Sequence, residues 1–235
     1  MKTSNSILIS QAKESLKGKW GLAIGGYLLS YLITSGLGLV PKIGFIAVLI
    51  VGGPLLLGLQ SFYLSIARNQ DAKIEQVFSG FNNFGTALGA YLLMFLYIVL
   101  WMLLFIVPGF IAAFSYSMTF FILADEPSIG ISEALSKSKQ MMKGNKGKFF
   151  MLTLPFIILP MIAFSFYFIT LILAAFHGDL TAIARYSGFF DTLQGKIVIP
   201  GCTVLMTGLF VWMYVAFASF YDDIKPKELE NEIEG

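Results

Sequence analysis

From Phe84 to Ala124 the chain runs 41 residues without a charged side chain, and a Pro108-Gly109 pair sits near the middle. A bilayer's hydrocarbon core of about 30 Å takes roughly 20 helical residues. The stretch therefore predicts two spans joined by a tight turn at Pro108 and Gly109. Uncharged runs also cover Trp20 to Ala67, interrupted only by Lys42, then Phe149 to Phe176 and Ile197 to Tyr221. Pro41-Lys42-Ile43-Gly44 reads as another turn. The pattern predicts an all-α, polytopic transmembrane helix bundle in a single membrane domain, 1–235. Its six spans lie near 20–40, 43–67, 84–106, 109–124, 149–175 and 197–220. Pro54, Pro155 and Pro160 are expected to kink or break the second and fifth spans. The first apolar run is too long for a signal-peptide core and no small-residue cleavage site follows it, so it reads as a retained span.

The polar stretches carry the orientation. Residues 1–19 read as an amphipathic N-terminal segment, 125–148 as a cytoplasmic amphipathic helix with a basic loop, and 221–235 as an acidic cytoplasmic tail. With the N-terminus inside, thirteen Lys and Arg fall on the cytoplasmic side and only Lys42, Arg185 and Lys196 outside. That split places both termini in the cytoplasm. Ile131 to Lys143 repeats Ile131, Ala134, Leu135, Ser138, Met141 and Met142 at helical spacing, with Lys137, Lys139 and Lys143 projecting elsewhere. Gly144-Asn145 offers a left-handed stop after it. Such a helix either lies in the inner headgroup layer or packs on the bundle as a linker. Lys137, Lys139, Lys143, Lys146 and Lys148 form the expected anionic-lipid contact.

Trp20 to Leu29 and Phe84 to Leu93 agree at six of the nine positions after the aromatic residue. Phe149-Phe150 opens a third, more diverged unit. All three enter from the same side, which predicts parallel repeats of helical hairpins. Gly21 with Gly25, and Gly85 with Gly89, set two small-xxx-small patterns, serving packing within one monomer or a homo-oligomer seam.

Composition agrees with a lipid-solvated chain: 57% hydrophobic residues, 13% charged, mean hydropathy +0.77. The single cysteine, Cys202, excludes an intramolecular disulfide. A net charge of +2 gives no reason to expect nucleic acid. His177, with Asp179 nearby, reads as a solvated loop side chain. Asp125-Glu126 and Asp222-Asp223 read as structural charges at span ends, and Glu228 to Glu234 as a solvated tail. No phosphate loop, zinc-protease helix or serine elbow is present, so no catalytic, metal or cofactor set is expected. The spans hold neutral polar groups, among them Gln60, Ser61, Ser115, Ser117, Thr119, Thr170, Thr203 and Thr207, suited to interhelical hydrogen bonds.

The run Pro108 to Pro127, followed by Glu133-Ala-Leu-Ser-Lys-Ser-Lys-Gln-Met-Met-Lys-Gly-Asn-Lys-Gly-Lys-Phe149, resembles the signature of a bacterial integral-membrane family, domain of unknown function 975. Ala12 to Trp20, Gly53-Pro54 to Gly58, and Phe220-Tyr221 resemble it too. Leu173-Ala-Ala-Phe-His-Gly-Asp179 departs from it, standing where the family keeps a glycine-rich stretch. The resemblance implies a polytopic protein of the bacterial cytoplasmic membrane and transfers no activity or site residue. The expectation is a non-enzymatic protein that binds membrane lipid or a membrane-active amphipathic peptide, in envelope homeostasis or immunity. A facilitator or exporter of a small amphiphilic solute is the alternative, and a lipid-modifying enzyme comes third.

Overall fold

The computed structural model describes residues 3–176 and 193–226. His177, Asp179, Arg185 and the acidic stretch Glu228 to Glu234 lie outside the described residues, and so do the expectations resting on them. Among the described residues there are nine α-helices, one 3₁₀ helix and no strand. The helices are α1 (Asn5–Ser15), α2 (Trp20–Gly38), α3 (Gly44–Ala67), α4 (Phe84–Leu104), α5 (Ile106–Tyr116), α6 (Thr119–Asp125), α7 (Ile131–Met141), α8 (Lys146–Phe176) and α9 (Leu193–Ile224). The 3₁₀ helix is Ile74–Phe81. Among the described residues, five helical stretches are long and apolar enough to cross a membrane: Trp20–Gly38, Gly44–Ala67, Phe84–Leu104, Ile106–Asp125 and Val204–Ile224.

The chain divides into two compact units. One comprises Met1–Leu152 with Val211–Gly235, the other Thr153–Phe210. The smaller unit holds the later part of α8 and the earlier part of α9. Pro155 and Pro160 lie inside α8, whose helix continues through both.

In the larger unit, α3 runs through Pro54 without a break. Glycines beside it allow contact at backbone distance. A Cβ on Gly58 would fall on the carbonyl oxygen of Val77, and one on Gly80 would fall on the carbonyl oxygen of Pro54. The 3₁₀ helix therefore lies directly against α3, glycine to backbone in both directions. Gln76 opens it by accepting the Lys73 N–H at 3.3 Å through its side-chain oxygen.

The break between α4 and α5 falls at Phe105, which is extended (φ −159°, ψ 146°), and not at Pro108-Gly109. Pro108 stands in the first turn of α5, where a missing N–H removes no helical bond. Gly109 donates its N–H to the Phe105 carbonyl at 3.3 Å. A second break, between α5 and α6, is repaired from α7. The Ser138 hydroxyl donates to the Ser115 carbonyl at 2.9 Å and accepts the Met118 N–H at 3.2 Å.

That contact shows which way α7 faces. Ala134, Leu135, Ser138 and Met141 are buried, and the helix packs on α4, α5 and α6. Its apolar face is thus taken up by protein, as a helix packed on the bundle requires. Glu133 in its first turn and Lys139 in its last suit the helix dipole. Helix α1 likewise buries Leu8, Ala12 and Ser15.

The exits from α1 and α7 share one geometry. After α1, Leu16 N–H bonds Ala12 O, Lys19 N–H bonds Leu16 O, Ala23 N–H bonds Lys19 O, and Gly18 takes φ +73°. After α7, Met142 N–H bonds Ser138 O, Asn145 N–H bonds Met142 O, Phe149 N–H bonds Asn145 O, and Gly144 takes φ +79°. A left-handed residue at that point favours glycine.

Candidate functional site

Three helices from distant parts of the sequence meet at one charged end of the larger unit. Arg68 caps α3, Asp125 closes α6, and Asp222 with Lys225 stand at the end of α9. The Arg68 guanidinium donates to Asp125 Oδ1 at 2.7 Å and grips both oxygens of Asp222 at 2.7 and 3.1 Å. Lys225 Nζ and the Tyr221 hydroxyl both donate to Asp125 Oδ2, at 2.5 and 3.1 Å. Burial alone would lower the Arg68 pKa, but its hydrogen bonds to Asp222 and Asp125 outweigh that and raise it. The planar fork suits such bidentate pairing. The Asp125 and Asp222 carboxylates thus act as clasps between helices.

Two of the five expected lipid-contact lysines are drawn into similar clasps. Lys137 Nζ reaches both oxygens of Glu126, at 2.5 and 2.7 Å. Lys148 Nζ reaches Asp223 Oδ2 at 2.5 Å and lies 5.4 Å from the Phe220 ring centroid. Asp223 also accepts from the Thr3 N–H at 3.0 Å, so Lys148 and the N-terminal segment are held together at the end of α9. The side chains of Lys139, Lys143 and Lys146 make no ion pair or hydrogen bond among the described residues, and Lys139 and Lys143 are exposed. Of the three, Lys143 lines an open groove of about 580 Å³, together with Glu133, Ser136, Lys137, Gln140 and Ile224. The unpaired Lys143 ammonium beside hydroxyl and amide donors can hold an oxyanion by charge and hydrogen bonds, on the side of the groove away from the Glu133 carboxylate.

The sequence-derived turn residues fall elsewhere. Pro54 lies within α3, against the 3₁₀ helix, while Pro108 and Gly109 lie in α5 past the Phe105 break. The Arg68 clasp and the Ser138 splice were not expected from the sequence. Their partners are 57, 154 and 23 residues apart, and the only local signal is an unusual position for each residue type. Arg68 is a charge at the very end of an apolar run, and Ser138 a hydroxyl on an apolar face.

No similar curated protein and no similar solved structure was found. A family model described as "Protein of unknown function (DUF975)" matches residues 1–115 and 102–228. With nearly the whole sequence covered by those two segments, the chain belongs to the DUF975 family.

Proposed function

We propose that this is a non-enzymatic, six-span integral protein of the bacterial cytoplasmic membrane, with both termini cytoplasmic, that holds anionic lipid headgroups on a basic inner belt. The observation that carries the reading is the division among the belt lysines. Lys137 and Lys148 are neutralised by Glu126 and Asp223, whereas Lys139, Lys143 and Lys146 are left unpaired on the same end of the larger unit. Unpaired cations at an inner membrane surface attract phosphatidylglycerol-type headgroups. The thirteen-to-three division of Lys and Arg supports the orientation. The shared turn at Leu16–Gly18 and Met142–Gly144 supports parallel hairpin repeats, each entered from a helix at the charged end. A bundle that gathers anionic lipid would serve envelope homeostasis.

Each lysine near an anionic surface contributes about 1 kcal/mol. The triple variant K139Q/K143Q/K146Q should lose about 3 kcal/mol of lipid retention, roughly a hundredfold in affinity. Native mass spectrometry from nanodiscs containing phosphatidylglycerol measures this directly. Unchanged retention in the triple variant would sink the basic-belt reading.

A further inference from the structure

The two hairpins of the larger unit end differently. The α2–α3 tip carries Lys42, exposed and left-handed at φ +68°. The α4–α5 tip carries Leu103, Leu104, Phe105, Ile106 and Val107, all more than 60% exposed. From Ile98 to Phe114 the only side chain with a polar atom is Trp101.

Length separates them as well. Arg68 and Asp125 are ion-paired at 2.7 Å, so α3 and α6 leave the charged end at the same level. From Arg68 to Gly44 the continuous α3 rises about 36 Å, and at the same rise the α5–α6 run from Asp125 to Ile106, turned at Ser117-Met118, covers about 29 Å. Against a hydrocarbon core of about 30 Å and an average tilt of about 20°, the first hairpin clears the far boundary and the second stops short of it.

The start of α5 leaves few amide donors open, while the Met102, Leu103 and Leu104 carbonyls at the end of α4 accept no backbone bond among the described residues and point to the nearby headgroup level. Phe105 donates to the Trp101 carbonyl at 3.1 Å and Gly109 to the Phe105 carbonyl. Proline at 108 removes a further donor. Only Ile106 and Val107 are left with first-turn amides to satisfy, where an ordinary helix start leaves four. Unsatisfied amides in hydrocarbon are strongly disfavoured.

We infer that the α4–α5 tip does not emerge into water but ends among the acyl chains of the far leaflet, just below its headgroups, while the Lys42 tip passes through. The ligand of this surface is lipid tail. The inference rests on the membrane orientation proposed above, refines the third and fourth of the six proposed spans into a hairpin that stops below the far headgroups, and is independent of the lysine belt. A hairpin that ends in one leaflet displaces lipid there without breaching the surface, so the far leaflet is loaded with protein that the aqueous side cannot contact.

Single cysteines at Lys42→Cys and Phe105→Cys, in a Cys202→Ser background, test it in the full chain. A membrane-impermeant maleimide applied to the side opposite the termini should label K42C and leave F105C unlabelled. A fluorophore on F105C should be quenched more by an acyl-chain spin label than by a headgroup spin label. F105C labelling at the K42C rate, or stronger quenching from the headgroup label, would overturn the inference. If K42C is also unlabelled, the quenching profile decides alone. Loss of lipid retention in K139Q/K143Q/K146Q leaves both readouts unchanged, so the two ideas fail separately.

Discussion

Between Gly53 and Ile66, α3 is buried on nearly every side, with Phe62 and Tyr63 fully covered, whereas Phe45 at its other end is 72% exposed. The α5–α6 run repeats the contrast. Five consecutive residues from Thr119 to Leu123 are buried, while Phe110 and Ile111 lie open. In α3 the buried end is the less apolar one, with Gln60, Ser61 and Ser65, so hydrophobicity does not explain which end packs. Among lipid tails, helices gain nothing by hiding apolar surface from one another. Association at the charged end must come from close backbone approach, hydrogen bonds and ion pairs, and the structure concentrates all three there. The apolar end has large side chains that lipid covers as well as a neighbouring helix would.

The most severe way to break this contrast is to separate α3 from the 3₁₀ helix. Gly58→Leu places its Cβ on backbone atoms of Val77 and Gln76, which cannot move aside as a side chain can. Overpacking of a tight site typically costs 1–3 kcal/mol, and with the obstruction in the backbone about 3 kcal/mol is expected. Thermal unfolding in detergent should show it as a large fall in Tm. If G58L unfolds like the parent chain, backbone contact is not what holds the charged end together.

Next in size is the clasp. Arg68→Ala leaves Asp125 and Asp222 facing each other's charge, with Lys225 the remaining cation on Asp125. Breaking a fully buried pair costs about 3–5 kcal/mol. The Arg68 side chain is 28% exposed, so solvent screening reduces that to about 2 kcal/mol. R68K should recover only part of it, because one ammonium cannot grip two carboxylates with a fork. Denaturant titration of R68A, R68K and D222N orders these effects, and equal stabilities for R68A and the parent would remove the clasp from the account.

The apolar helices were legible in the sequence to within a few residues, because absence of charge is a one-dimensional signal. Residues 149–175 were expected for a helix that runs Lys146–Phe176, and 43–67 for one that runs Gly44–Ala67. Breaks were less legible. Proline marks a turn only if its position needs the N–H, and Pro108 in the first turn of α5 does not. Pro54 lies inside α3 with its carbonyl against Gly80 of the 3₁₀ helix, and α3 continues past it. Which lysines between 137 and 148 are ion-paired was not legible, since Glu126 and Asp223 choose Lys137 and Lys148 through folding. Asp125-Glu126 and Asp222-Asp223 were legible as structural charges, and the fold adds which helix each one ties.

The smallest effect sharpens the comparison to one helical turn. In α2, a Cβ on Gly25 would meet Ile74 at 3.6 Å, while one on Gly21 meets nothing within 4 Å. In α4, Gly89 faces Ile131 at 2.6 Å and Gly85 faces open space. Each small-xxx-small pair thus has one member closed by the chain's own apolar isoleucine and one member open. Alanine in a helix is favoured over glycine by about 0.8–1 kcal/mol, less in a first turn that is already fixed by packing. Gly21→Ala and Gly85→Ala should therefore each gain about 0.5 kcal/mol, whereas Gly89→Ala should gain less, because the Ile131 δ-methyl must first turn aside. If these open glycines instead formed a seam between two copies, alanine would weaken the association. Native mass spectrometry would then show fewer dimers in G21A or G85A, and an unchanged subunit distribution with a slightly higher Tm is the expected result.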